Sequence, residues 1–140
     1  MNTRPEIPSV KSTILVVDDH PTNLKLITEL LSFEGYTVCG AVDAESALEL
    51  LTKMTPELIL MDIALPGMDG LTLTRKLKAE VLRVPVFIVA LTAFAMKGDE
   101  QKALDAGCDA YISKPIDTRR ILPQIAEFIE QTWRRRQQLC

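Results

Sequence analysis

Short apolar runs and segments of helical period alternate five times along this chain. The first run, Thr13 to Asp18, carries Ile14, Leu15, Val16 and Val17 and reads as a buried strand. From about Pro21, Leu24, Ile27, Leu30 and Leu31 recur on one side of a helix that Gly35 is placed to end in the left-handed conformation. Tyr36 to Ala41 predicts the second strand, and Asp43 is a good N-cap for a short helix carrying Ala47, Leu48 and Leu51. Leu58-Ile59-Leu60-Met61 is the third apolar run, and a helix from about Asp69 buries Leu71, Leu73 and Leu77. Val86 to Leu91 predicts the fourth strand, followed by a helix over about Lys97 to Ala106 that Gly107 ends. Ala110 to Ser113 is a short fifth strand. Asp117 is expected to cap the last helix, whose Ile121, Ile125, Phe128 and Ile129 fall at core-facing spacing, with Pro123 confined to its opening turns.

Regular alternation of this kind predicts an α/β domain, a parallel sheet covered by helices on both faces. The expected organisation is a flexible segment over 1–11, one folded domain over 12–131, and a polar, basic tail over 132–140. With 140 residues the chain has length for a real core and little left for a second folded unit.

Composition changes this picture mainly by exclusion. The net charge of −3, from 16 basic and 19 acidic residues, provides no general footprint for nucleic acid. The one basic cluster, Arg134-Arg135-Arg136, reads as a solvated helix end, where cations suit the helix dipole. Cys39, Cys108 and Cys140 are widely spaced and outside any C-x-x-C pattern, which suggests neither a disulfide framework nor a zinc site and fits a reducing cytoplasm. The N-terminus has no apolar core of a signal peptide. The longest apolar stretch, Val84 to Met96, is interrupted by Pro85 and Thr92 and falls short of the roughly 18 residues of a membrane span. A soluble, cytoplasmic protein without membrane insertion is expected.

Asp62 carries the chemistry. It closes the third apolar run and is followed by Ile63-Ala64-Leu65-Pro66-Gly67-Met68-Asp69-Gly70, so a buried strand delivers one carboxylate to a loop at its C-terminal end. Open α/β sheets bind ligands there. Asp18-Asp19 end the first strand, and two central strands with neighbouring C-terminal ends would cluster three carboxylates. Alone, an acidic doublet before a helix is a solvated cap. Clustered, like charges raise one another's pKa unless something cancels them, and a hard cation such as Mg²⁺ suits carboxylate oxygens with open water and phosphate positions. Thr92 alone is a β-branched residue at ease at a strand end, and Lys114 alone an exposed lysine. At neighbouring strand tips they supply a hydroxyl donor and an ammonium, and Lys114-Pro115 is a bond open to the cis form. Hydroxyl, ammonium and metal are the groups that neutralise a phosphoryl group's oxygens, and such positioning is most of what phosphoryl transfer requires.

In these motifs the chain resembles the receiver domain of bacterial two-component response regulators, over residues 12 to 131. The matching pieces are Val17-Asp18-Asp19, Met61-Asp62 with Leu65-Pro66-Gly67-Met68-Asp69-Gly70, Ala90-Leu91-Thr92-Ala93, and Lys114-Pro115. The resemblance implies a flavodoxin-like fold with strand order 2-1-3-4-5. It implies that Asp62 is the phosphoacceptor, taking a phosphoryl group from a histidine kinase or histidine phosphotransfer protein. Asp19, Asp62 and the backbone carbonyl of Ala64 would hold Mg²⁺ directly and Asp18 through water. Thr92, Lys114 and the backbone N–H of Ala93 would bind the phosphoryl oxygens. Tyr111 matches the family's rotating switch aromatic, though a half-buried strand tyrosine also serves packing. Ala64 and Phe94 stand where the family varies, and neither can hydrogen-bond an attacking water, so a comparatively long-lived aspartyl phosphate is expected.

Other readings fit less well. A cofactor-binding flavodoxin would need a phosphate cradle after the first strand, but Asp18-Asp19-His20-Pro21-Thr22-Asn23 repels phosphate and has no glycine. An aspartyl phosphatase would want a D-x-D pair, which is absent. A degenerate receiver that only docks partners is disfavoured because all five site side chains are present. The chain is therefore expected to be a signalling switch rather than an enzyme acting on other substrates. It would contact a kinase or phosphotransfer protein and a downstream target protein. Met1 and the short tail favour a stand-alone regulator over a receiver from a hybrid kinase or multidomain regulator.

Overall fold

A computed structural model describes residues 12–92 and 98–138. Five parallel strands form one sheet in the order β2-β1-β3-β4-β5, as expected. They are β1 (Thr13–Val17), β2 (Thr37–Ala41), β3 (Leu58–Asp62), β4 (Phe87–Thr92) and β5 (Ala110–Ser113), alternating with α1 (Pro21–Phe33), α2 (Ala44–Leu51), α3 (Gly70–Lys76), α4 (Asp99–Ala106) and α5 (Ile121–Gln137). Every residue of β3 and β4 is buried, which is why those segments read as unbroken apolar runs. Alternate side chains divide the core in two. Leu15, Val17, Ile59, Met61, Ile88 and Ala90 share one cluster with residues of α2, α3 and α4. Ile14, Val16, Leu58, Leu60, Val89 and Leu91 share the other with α1 and α5.

Local chemistry sets most element ends. Pro21 opens α1, where its missing N–H costs nothing. Gly35, at φ 106°, closes it: the Gly35 N–H donates to Ser32 O at 3.0 Å and the Tyr36 N–H to Leu31 O at 3.1 Å, a paired bond that needs a left-handed residue. The Asp43 and Asp69 carboxylates cap α2 and α3 by accepting from Ser46 N–H at 2.7 Å and Thr72 N–H at 2.8 Å. α3 runs into a π-helical turn, Leu77–Val81, that the apolar spacing did not foretell. In it Lys78 reaches Asp109 Oδ2 at 3.2 Å.

Three expectations at the C-terminal end are corrected. Asp117 does not cap α5. Its carboxylate accepts from Arg119 N–H at 2.9 Å and its carbonyl from Arg120 and Ile121 N–H, making a separate turn before a helix that starts at Ile121. The late start places Pro123 in the first helical turn, where it removes no intrahelical bond. The helix also runs past 131 to Gln137, so most of the segment expected as a tail is helical, and Thr132 within it is fully buried.

Nor is the arginine cluster simply a solvated end. Arg135 bonds Asp109 Oδ1 at 2.8 Å and lies 4.8 Å over the Phe87 ring. Arg136 donates to Pro85 O and Pro56 O, both at 2.8 Å, and to Glu57 Oε2 at 3.1 Å. A guanidinium fork serves three acceptors at once in a fixed planar geometry. The Glu57 carboxylate also accepts the Thr13 N–H at 2.7 Å, so Arg136 ties α5 to the starts of β1, β3 and β4. Arg136→Ala is expected to lower stability by about 2 kcal/mol, since two partly buried carbonyls and a carboxylate lose their donor. Urea unfolding measures this, and a variant as stable as the parent would show that the clamp contributes nothing. Among the described residues no helix is long and apolar enough to cross a membrane.

Candidate functional site

Parallel pairing brings the C-terminal strand ends into one row. Val17 lies opposite Met61, so Asp18 and Asp62, the next residue of each strand path, are neighbours. Asp62 lies opposite Leu91, and Thr92 opposite Ser113, the residue before Lys114. Backbone bonds join the same row, with Asp18 N–H donating to Ala41 O at 3.0 Å and Lys114 N–H to Thr92 O at 2.7 Å.

Two buried carboxylates anchor the site. Asp18 is fully buried and Asp62 is 4% exposed. Each has one oxygen held by the backbone two residues on: Asp18 Oδ1 accepts the His20 N–H at 2.8 Å, and Asp62 Oδ1 the Ala64 N–H at 2.9 Å. The other oxygens, Asp18 Oδ2 and Asp62 Oδ2, each lie 3.2 Å from Lys114 Nζ. The ammonium is therefore shared between two strand ends. The Lys114-Pro115 peptide bond is cis. Asp19 completes the group, and Asp18, Asp19 and Asp62 each offer an oxygen within 4.8 Å of the others.

Burial dominates the electrostatics. It raises the Asp18 pKa above the ordinary carboxylate value, against the opposing pull of the His20 N–H and Lys114 and with a further push from Asp62. For Lys114, burial works toward a lower pKa but is outweighed by attraction to Asp62 and Asp18, leaving its pKa raised and the side chain charged at neutral pH. One ammonium against three carboxylates leaves a surplus of negative charge. Hard oxygen donors in that number, one of them stripped of water, suit a divalent cation that keeps several of its own waters.

The loop from β3 to α3 is shaped by glycine. Gly67 takes φ 71°. At Gly70, whose N–H donates to Ile63 O at 3.2 Å, a Cβ would overlap the carbonyl oxygen of Asp62 and stand 2.7 Å from Ile63 Cα. The start of α3 thus packs directly on the backbone that presents Asp62. Sequence reasoning quoted Gly70 as part of a motif but assigned it no role, because the close approach exists only once α3 folds back onto β3.

Thr92 ends β4 and is buried. Tyr111 sits on β5 opposite Ala90, partly buried, with its ring against the core beneath α2, α3 and α4. The nearby Glu100 carboxylate of α4 raises the Tyr111 pKa. Nothing in the sequence pointed to Glu100. Ala93 and Phe94 lie outside the described residues. Asp18, Asp19, Asp62, Thr92 and Lys114 are therefore brought to one end of the sheet. There the buried Asp62 carboxylate faces a shared ammonium, beside acidic oxygens able to hold a cation.

The family model for the response regulator receiver domain matches residues 14–126. The polar-differentiation response regulator DivK of Brucella anthropi is 41% identical over 119 residues, covering 84% of this chain and 95% of that protein. Among solved structures, a CheY-like response regulator receiver domain protein from Methanospirillum hungatei superposes with a TM-score of 0.80 at 36% identity, over 90% of this chain and 98% of that one. The receiver domain of a sensor histidine kinase from Pseudomonas aeruginosa, solved with a magnesium ion coordinated in its active-site cleft, gives a TM-score of 0.76 at 35% identity, over 85% of this chain and 98% of that one.

Proposed function

The chain belongs to the response regulator receiver domain family, and on that premise we propose that it is a phosphorylation switch whose acceptor is Asp62. A histidine kinase or phosphotransfer protein would donate the phosphoryl group. A bond forms from an Asp62 carboxylate oxygen to phosphorus as the bond from phosphorus to the donor nitrogen breaks. The observation that carries this reading is the Lys114 ammonium, 3.2 Å from both Asp18 and Asp62. It is a fixed positive charge beside the nucleophile, placed to pair with phosphoryl oxygens as they arrive. The Thr92 hydroxyl is proposed as a donor to a second oxygen, with the Ala93 N–H assisting.

Asp19, Asp62 and the Ala64 carbonyl would hold Mg²⁺ directly, with Asp18 acting through water. When bound, the ion neutralises the carboxylates and the incoming phosphoryl oxygens. Incubation with Mg²⁺ and acetyl phosphate is expected to add one phosphoryl group by intact mass, and EDTA to prevent it. Asp19→Asn is expected to weaken Mg²⁺ binding by about tenfold, because affinity follows the charge of the ligand set. An unchanged titration in that variant would remove Asp19 from the site.

Phosphorylation would draw Thr92 toward the phosphoryl oxygens and shift Tyr111 on the face built by α4, β5 and α5, biasing a two-state equilibrium. Signalling then passes through protein contacts in the cytoplasm, without direct binding of nucleic acid. The match over nearly the whole of DivK supports a stand-alone regulator. The equally complete match to a sensor-kinase receiver supports the alternative of a receiver within a hybrid kinase. The size of the native protein in cell extract separates the two.

The aspartyl phosphate is expected to be long-lived, because Ala64 offers no group to orient a water behind the phosphorus. Placing Asn at position 64 together with Glu at position 94 is expected to speed its loss by about tenfold, equivalent to about 1.4 kcal/mol of barrier. An unchanged decay rate in that double variant would show that other contacts limit water access.

A further inference from the structure

β5 is an edge strand of four residues, paired only with β4. Lys114 follows its last residue, so whatever fixes the strand along its own axis also fixes the ammonium. The pin at its start is Asp109. The Asp109 N–H donates to Ile88 O at 2.7 Å, and the Asp109 carboxylate accepts the Ile88 N–H at 2.8 Å through Oδ2. One residue thus takes both backbone groups of Ile88. The chain has only just left α4 at Gly107, so the side chain supplies the acceptor that a longer strand would offer from its backbone. Ile88 is fully buried, and its N–H has no water to turn to.

The carboxylate is itself aimed by helices on both faces of the sheet. Lys78, on the turn after α3, reaches Oδ2 at 3.2 Å, and Arg135 of α5 reaches Oδ1 at 2.8 Å while lying over the Phe87 ring. Networked charges hold a geometry that one exposed pair does not.

We propose that Asp109 is a positioning residue for phosphoryl transfer: by receiving the Ile88 N–H it fixes the register of β5 on β4, and through the strand it holds Lys114 between Asp18 and Asp62. The consequence for transfer rests on phosphoryl acceptance at Asp62, and the pin itself does not. A strand advances about 3.3 Å per residue, so a slip of one position carries the ammonium a full contact distance from the oxygens it now meets at 3.2 Å. Smaller loosening is enough, because a misplacement of about 1 Å slows a positioned reaction heavily.

Three variants separate placement from charge. Asp109→Ala removes the acceptor. Asp109→Glu keeps the charge for Lys78 and Arg135 but carries its oxygens one methylene past the Ile88 N–H, whereas Asp109→Asn loses the charge and keeps an oxygen in place. In unphosphorylated protein, amide exchange at Ile88 and at Lys114 is expected to quicken about fivefold in the alanine and glutamate variants. Amides of β1 and β2 are expected to stay unchanged, and the asparagine variant to stay close to the parent. Exchange that quickens equally in β1 and β2, or not at all at Lys114, would overturn the pin. So would an asparagine variant as fast as the glutamate one.

Uptake from Mg²⁺ and acetyl phosphate, taken per folded molecule, tests the consequence. It is expected to slow about five- to tenfold in the alanine and glutamate variants and less than about twofold in the asparagine one. Equal rates in all of them would overturn the role in transfer. If the alanine variant does not fold, the glutamate and asparagine pair decides both questions. A parent chain that takes up no phosphoryl group would instead defeat the functional reading, and exchange at Lys114 would still decide whether Asp109 fixes the far end of the strand.

Discussion

Asp62→Asn is expected to abolish phosphoryl uptake from acetyl phosphate while leaving the fold intact. The amide is nearly isosteric with the carboxylate, and its oxygen can still accept the Ala64 N–H that now bonds Asp62 Oδ1 at 2.9 Å. What is lost is the charge that makes the oxygen a nucleophile, together with one of the two carboxylates that Lys114 bridges. The lysine keeps Asp18, so no buried ammonium is left unpaired and the cost seen when one partner of a buried pair is removed does not arise. Relief of repulsion between Asp18 and Asp62 works in the same direction. The melting temperature is thus expected to stay within a few degrees of the parent, while intact mass shows no adduct. A substituted chain that gains the same mass would place the acceptor elsewhere, and one that unfolds would show that Asp62 is chiefly a structural partner of Lys114.

Gly70→Ala is expected to be strongly damaging for a single added methyl group. The added carbon would overlap the carbonyl oxygen of Asp62 and crowd Ile63 Cα at 2.7 Å. Both are backbone atoms, so no side-chain rotation relieves the contact, and either α3 or the end of β3 must shift. The loss is expected to reach about 3 kcal/mol, the upper part of the range for overpacked sites, which for a domain of this size lowers the melting temperature by about 10 °C. The shift also falls on the proposed acceptor carboxylate, so phosphoryl uptake is expected to slow more than the fraction of unfolded protein explains. By contrast, a Cβ at Gly67 would meet nothing within 4 Å, and there only the left-handed φ of 71° penalises alanine. If Gly70→Ala melts like the parent, the loop has room that this packing does not provide.

Much of the site was legible without the fold because its residues sit where short-range rules place them. Asp18, Asp62 and Thr92 each stand at the end of a run that must be apolar, since β3 and β4 are buried along their whole length. The caps at Asp43, Gly35 and Gly107 were equally visible. Capping bonds join residues only a few positions apart, and residue type alone announces them. Asp117 shows the limit of that rule. An acidic residue before a helical pattern has two local uses, a cap or a preceding turn, and the demands of Pro123 decided for the turn.

What only the tertiary structure decided are contacts between residues far apart in sequence. Lys114 bridges carboxylates 96 and 52 positions away, Arg136 reaches Glu57 across 79, and Gly70 meets the carbonyl of Asp62 because α3 turns back on its own strand. The physical reason is the same in each case. Periodicity and capping express interactions within one or two turns of chain, whereas the partner of a long side chain depends on strand order, register and helix placement, which the folded core sets as a whole.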